Sequence, residues 1–337
     1  MEELIFHDYD ERYKHMKAIL ILTIAAMLVL TGCTNTKQAK IDTPFIGGTE
    51  GVKMNFITGA PPDQIFDGGK GEFGVFVELE NVGEADVPAG AGYIEILGIN
   101  PNDFGKQSQA DLLEGINRLL QRSRKNFEGT IIRGDKTVVE FPRLKYTRDI
   151  HGNIPVKIRA ELCYDYKTET SASICVKRNA LTTGLDTKKI CEISGDKTAY
   201  NSGGPVQITS LKQSPIGDDK IQIIFEIDHM GDKVNNQIYE KGSVCDDQIT
   251  NNKRNRVFIR VNSRVNGRMP ECSSLDERVD SASGFITLYD SQKRAITCTL
   301  DLAGVNSVYE DLFTLDLQYR YSQFIEKEIT IRDVSTG

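Results

Sequence analysis

Tryptophan is absent from the 337 residues, and histidine occurs four times. His7 and His15 precede Cys33, leaving His151 and His229 for any imidazole chemistry beyond it. Both read as exposed turn residues, so a His-based triad has little to build on. Without Trp, a sugar-stacking platform would need Tyr. No Cys-x-x-Cys, Gly-x-Ser-x-Gly or His-Glu-x-x-His occurs, which removes the tight zinc, nucleophile-elbow and zincin signatures. Basic excess is missing too: 48 acids face 41 bases, which gives no support for a nucleic-acid-binding surface. The longest uncharged apolar run, residues 18–30, has 13 residues, short of the roughly 20 that a membrane-spanning helix needs.

That run follows Arg12, Lys14 and Lys17 and ends in Leu30-Thr31-Gly32-Cys33. A positive start, a short apolar stretch and small residues before a cut are the parts of a signal peptide. Leu-Thr-Gly-Cys resembles a lipobox, the site at which prokaryotic lipoproteins are cut and the new N-terminal Cys is lipidated. The resemblance implies a signal peptide over residues 1–32 and lipid attachment at Cys33. The acidic, mixed-charge residues 1–15 fit no leader, and Met16-Lys17 is the expected true start. The first 32 residues hold five acids and three bases, leaving 43 acids against 38 bases, a net charge of −5, in the mature 305 residues.

Seven Cys are present. With Cys33 assigned to lipid, Cys163, Cys175, Cys191, Cys245, Cys272 and Cys298 remain. An even set in an exported chain implies disulfides, whereas the gaps are too wide for a zinc site. No metal or cofactor is expected.

Residues 33–50 read as a tether. Beyond it, Phe73, Val75, Val77 and Leu79 alternate with polar neighbours, a half-buried strand that stops at Asn81-Val82-Gly83. The pattern returns 148 residues later in Ile221, Ile223, Phe225, Ile227 and Gly231. A second match, at an offset of 155, aligns Ile158, Ala160, Leu162, Tyr164 and Tyr166 with Phe313, Leu315, Leu317, Tyr319 and Tyr321. Ile174 and Val176 align with Ile329 and Ile331 as the return strand of a hairpin. Two ordered matches at nearly one spacing predict a duplicated domain. The halves are expected at residues 51–180 and 204–333, joined by a linker over 181–203. A hairpin would set Cys163 against Cys175; Cys272–Cys298 and Cys191–Cys245 would follow, although four Cys allow three pairings.

Residues 108–125 break the β pattern. Leu112, Ile116, Leu119 and Leu120 have helical spacing; Ser108 can cap, Asp111 and Glu114 come early, and Arg118, Arg122, Arg124 and Lys125 come late. This predicts a helical insertion over about 106–126. It would cover one open end of a sandwich, or set its basic end against lipid headgroups or an acidic partner.

Strands of five to eight residues with Gly, Asn and Pro turns predict an all-β fold of two tandem Ig-like β-sandwiches. The segment from Phe73 to Ala85 resembles the strand-and-turn signature of adhesion-type Ig-like modules in archaeal and bacterial surface proteins. The second half departs from it, with His229-Met230-Gly231 in place of Asn-x-Gly. The whole chain resembles uncharacterised lipid-anchored surface proteins of prokaryotes, archaea in particular. This implies a location at the outer face of the cytoplasmic membrane or cell surface and carries over no catalytic residue.

Gly69-Lys70-Gly71-Glu72-Phe73-Gly74 matches the dinucleotide fingerprint in letters only, because it leads into a strand rather than a helix. Glu78 and Glu226 fall at equivalent outward positions, and Asp218-Asp219 and Asp246-Asp247 read as solvated turns. The function expected is binding or structural and not enzymatic: adhesion, or docking of another envelope protein or a surface polymer, with the membrane reached through the lipid. The alternative is an extracytoplasmic hydrolase or enzyme accessory using loop carboxylates. A solute binder is disfavoured, since tandem sandwiches offer no hinged cleft.

Overall fold

Alternating apolar and polar residues put one side of a strand in the core and the other in water, and this pattern builds nearly all of the molecule. The structure is a computed structural model that describes residues 43–178, 190–246, 251–263, 265–289 and 292–334. The leader, the Leu30–Cys33 motif and the tether as far as residue 42 lie outside these. The first half contains β1 (Val52–Phe56), β2 (Gln64–Phe66), β3 (Phe73–Asn81), β4 (Gly92–Leu97) and β5 (Leu113–Gly115). It continues with β6 (Arg124–Lys125), β7 (Ile131–Ile132), β8 (Lys136–Leu144) and β9 (Ile154–Val176). The second half contains β10 (Gly195–Asp196), β11 (Tyr200–Asn201), β12 (Val206–Ile216), β13 (Lys220–His229), β14 (Gln237–Tyr239) and β15 (Arg256–Ser263). After these come β16 (Glu271–Ser273), β17 (Glu277–Arg278), β18 (Ser283–Thr287), β19 (Arg294–Asp301) and β20 (Tyr309–Arg332).

The duplication has a physical form. Outer sheet β1-β3-β8 in the first half corresponds to β12-β13-β19 in the second, which adds β10 and β16 at its edges. Facing them is one shared sheet in the order β17-β18-β15-β20-β9-β4-β5. At its centre, β9 and β20 pair antiparallel from Ile154↔Ile331 to Val176↔Tyr309. Tyr164 faces Tyr321 and Tyr166 faces Tyr319, while Asp165 faces Arg320, its own counterpart at offset 155. A pseudo-two-fold axis therefore passes through the Asp165–Arg320 pair.

The predicted hairpins are not formed. Each is a single strand, of 23 and 24 residues, with the return segment running straight on into the other half. Residues 319–332 of β20 complete the first sandwich, where β2 pairs with them in parallel and Gln323 donates to Val52 O. Residues 167–176 of β9 complete the second, where β11 pairs with Thr170 and Ser171, and Gln213 exchanges two hydrogen bonds with the Cys175 backbone. Labelled as in an Ig-like sandwich, the outer sheets run A-B-E and the inner C-F-G, with strand G exchanged between halves. Parity explains why the chain need not turn: even positions from Ile158 to Val176 stay buried without interruption. Neither 167–173 nor 322–328 contains Gly, Pro, Asn or Asp, the residues a tight turn favours.

Tyr164, Tyr166, Tyr319 and Tyr321 fill the junction, with neighbouring ring centroids 5.5–6.4 Å apart. Tyr164 Oη accepts the Val52 N–H at 3.1 Å from β1, and Tyr319 Oη contacts Thr168 Oγ1 at 2.9 Å. Burial holds all four hydroxyls above the ordinary tyrosine pKa. Gly83 and Gly231, placed in turns by the sequence, have another purpose. A Cβ there would lie 2.0 Å from Tyr166 Oη and 2.2 Å from Tyr321 Oη respectively.

The expected helix at 106–126 is absent. Ser108 and Asp111 do start a turn, with the Asp111 carboxylate accepting the Ser108 N–H at 3.1 Å, but it is a 3-10 turn over Gln109–Leu112. The chain then runs extended along 83–93, with Val87 and Leu120 exchanging backbone bonds. Leu112, Ile116 and Leu120 are buried and Leu119 is exposed. A spacing of four suits period two as well as period 3.6, so tertiary pairing decided. The expected linker is also not a separate element from residue 190 onward: Cys191, β10 and β11 are tied into the sheets, and residues 181–189 lie outside the described part.

Cys272 pairs with Cys298 across β16 and β19, as the strand setting suggested. The other expected pairings are corrected to Cys163–Cys245 and Cys175–Cys191. With no hairpin, Cys163 and Cys175 sit far apart on one strand, and each takes a partner from the chain that crosses the sheet's outward face. Disulfides form and persist outside the reducing cytosol, which makes the described chain an extracytoplasmic one. Among the described residues no helix is long and apolar enough to cross a membrane.

Candidate functional site

Strand exchange gives the shared sheet an outward face that neither half would have alone. On the first-half side lies a cleft of about 900 Å³, bounded by β4, β9, β20 and the segment 234–246. Register sets its floor. One row runs Leu113, Glu95, Glu161, Phe324; the next runs Tyr93, Cys163, Ser322, Gln237. Side chains opposite each other in a sheet share a face, so each row projects together.

The wall is pinned at three points. Cys245 is bonded to Cys163 on the floor, Asp165 Oδ1 accepts the Gly242 N–H at 2.9 Å, and Arg320 donates to Ser243 O. The Asp165–Arg320 ion pair, at 2.7 Å, thus anchors the wall at the pseudo-two-fold axis. Tyr93 Oη accepts the Cys245 N–H at 3.3 Å, and burial raises its pKa. Glu161 accepts from Ser322 Oγ at 2.6 Å. Arg159 lies 3.9 Å from the Phe324 ring centroid and pairs with Glu326 at 2.6 Å. Val234 and Val244 expose 84% and 47% of their surfaces at the lip.

The duplication supplies an internal comparison. Asp316 is the offset-155 counterpart of Glu161 and faces Arg260 across the strands, an opposite-charge pair. Glu161 instead faces Glu95. Like charges directly opposite are unfavourable in a sheet, and local rules are broken most often at functional sites. The first half thus sets Glu161 between Glu95 and Phe324 at its cleft, where the second sets Asp316 between Arg260 and Glu169. Burial first, then Glu169, raises the Asp316 carboxyl above the usual carboxylate range, but the pair lies on the second half's strand face.

A second cavity, about 580 Å³, lies between Gly47–Gly51 and the 230–236 loop. Beside it stands His229, buried rather than in an exposed turn as expected, with Nε2 3.0 Å from Tyr321 Oη. Burial, then Lys233, pushes its pKa down to about 4, so it is neutral at physiological pH. His151 is exposed. Asp246, read as a solvated turn, lines the cleft, and Asp247 lies outside the described residues. Glu78 and Glu226 are exposed-side partners of Lys136 and Lys293. Gly69 and Gly71 adopt positive φ in a turn before β3, with no helix to receive a phosphate. No group of three His, Cys, Asp or Glu that could hold a metal occurs among the described residues.

Glu95, Glu161, Tyr93 and Phe324 are not singled out by the sequence. Each occupies an outward strand position that looks like ordinary surface until register sets the rows side by side. No protein-family model matches the chain, and no curated protein matches it either.

Proposed function

We propose that this is a lipid-anchored binding protein of the cell envelope, held at the membrane through Cys33, which docks a partner in the cleft between β4, β9, β20 and the 234–246 wall. The observation that carries the reading is the Glu95–Glu161 pair beside Phe324 and Tyr93. Two facing carboxylates among aromatic and apolar side chains suit a segment offering a cation together with apolar groups, such as a basic stretch of an envelope protein. Exchange of strand G and the pinned wall make the cleft rigid, which lowers the ordering cost of binding.

The test joins localisation to recognition. Mass spectrometry of the mature protein is expected to find lipid on Cys33. A native-envelope pull-down is expected to recover one stoichiometric partner that Glu95→Lys loses while the melting temperature stays unchanged. Equal capture by Glu95→Lys would sink the cleft reading. A hydrolase is the second reading, favoured by the adjacent carboxylates on the cleft floor. It requires Glu161→Gln to abolish turnover of an envelope polysaccharide or peptide while leaving capture intact.

A further inference from the structure

The first half carries a projecting hairpin that packs no core. β6 and β7 pair through Arg124↔Ile132 and Lys125↔Ile131. Their turn is built by Asn126, whose Oδ1 accepts the N–H groups of Glu128 at 3.0 Å and Thr130 at 2.8 Å. That turn holds Phe127 out in solvent, 96% exposed, with Ile131 at 54% and Ile132 at 42% on the same hairpin. Single exposed apolar residues are ordinary, but here three share one hairpin, Phe127 at its tip and Ile131 and Ile132 on its two faces, which marks an interaction surface. Arg122, Arg124 and Arg133, in or next to the hairpin in sequence, are exposed, with Glu128 the acid at the tip and Asp86 and Asp135 accepting the Arg122 and Gln121 N–H groups at its base. An aromatic and aliphatic hairpin that carries exposed arginines suits the boundary between headgroups and acyl chains on an anionic bilayer.

Where the chain enters the structure identifies the occupant. Lys125 Nζ donates to Thr43 Oγ1 at 2.8 Å, Thr43 O at 3.1 Å and Phe45 O at 2.9 Å, stitching the hairpin to the first described residues. Thr43 lies ten residues beyond Cys33, and ten residues reach at most about 36 Å. If Cys33 is lipidated, Thr43, to which the hairpin is bonded, thus stays within about 36 Å of the lipid. Membrane attachment is strengthened when a second signal joins a lipid anchor.

We infer that the β6–β7 hairpin is that second signal: Phe127, Ile131 and Ile132 enter the interface of an anionic bilayer while the arginines contact lipid phosphates. The inference rests on the anchored reading of Cys33 for its geometry. The chain lacks Trp, so Phe127→Trp makes a sole indole, which red-edge excitation reads apart from the 12 Tyr. The full lipidated chain carrying it, reconstituted in phosphatidylglycerol vesicles with brominated acyl chains, is expected to show blue-shifted emission quenched by about half. Val279→Trp, at an exposed site in the second half, is expected to remain unquenched. The Cys33→Ser chain made without residues 1–32 is expected to bind the same vesicles about tenfold more weakly once Phe127, Ile131 and Ile132 are all changed to Ser. These are surface changes, so circular dichroism should be unaltered. Lipid on Cys33 together with unquenched emission from the Phe127→Trp chain overturns the hairpin inference and leaves the anchor standing. Quenched emission with no lipid on Cys33 supports the hairpin and removes the anchor. A hairpin indole shielded only when an envelope protein is added also overturns the inference.

Discussion

Alanine at Gly83 tests the junction of the two halves most sharply. An added Cβ would lie 2.0 Å from Tyr166 Oη, 2.8 Å from Gly203 O and 2.9 Å from Glu50 O. Gly83 has no positive φ, so the cost is steric and not conformational. The tyrosine must move, because two of the three neighbours are backbone. Moving it breaks the bond from Ala85 N–H at 3.2 Å and the one donated to Gly203 O at 3.3 Å. Overpacking costs about 1–3 kcal/mol and a buried unsatisfied N–H about 1–3 kcal/mol more, so Gly83→Ala should lose about 2–6 kcal/mol. With an m-value of about 3 kcal/mol/M, a loss of about 3 kcal/mol moves the urea midpoint by about 1 M. Tyr166→Phe alone should lose about 1–3 kcal/mol through the Ala85 N–H. The double variant removes the shortest contact and keeps those with Gly203 O and Glu50 O, so its loss should exceed that of Tyr166→Phe but fall short of the sum, with coupling of at least about 1 kcal/mol. Gly231→Ala with Tyr321→Phe should repeat the result in the second half. Additive losses in both cycles would refute the claim that these glycines exist for the tyrosines.

Two other outcomes are open to direct measurement. Removing Cys163–Cys245 by paired alanines should cost about 4–5 kcal/mol and removing Cys175–Cys191 about 3 kcal/mol, since their loops span 82 and 16 residues; urea melts of the two variants should fall in that order. The His229 pKa, about 4 when folded against 6.5 unfolded, means the unfolded chain binds the extra proton. Stability is therefore full above pH 6.5 and falls as pH drops towards 4, by about 2–4 kcal/mol. His229→Asn, the residue at the equivalent position 81, should flatten that part of the pH–stability profile.

Several departures from the sequence pattern have one origin. The return strands at Ile174 and Ile329 are legible as strands, and their correspondence between halves holds. A hairpin and a continuous strand, however, share the same period of two, and pattern alone assigns no partner. The missing turn residues in 167–173 and 322–328 are the available signal. The same ambiguity makes Leu112, Ile116 and Leu120 read as a helix, since every fourth residue falls on one face of either structure. The disulfide corrections follow from the absent hairpin, because Cys163 and Cys175 meet only if the chain folds back. His229 reads as exposed because its cover, Tyr321, is contributed by β20.

Composition and periodicity by themselves determined that the chain is all-β and that it is built twice, because side-chain alternation is a local property. Tertiary structure alone decided that strand G changes sides, that Glu95 stands opposite Glu161, and that the Phe127 hairpin is fastened beside Thr43. Each of those depends on which backbone lies next to which. That choice is settled by burial summed over the whole molecule, with about equal local energy for either partner.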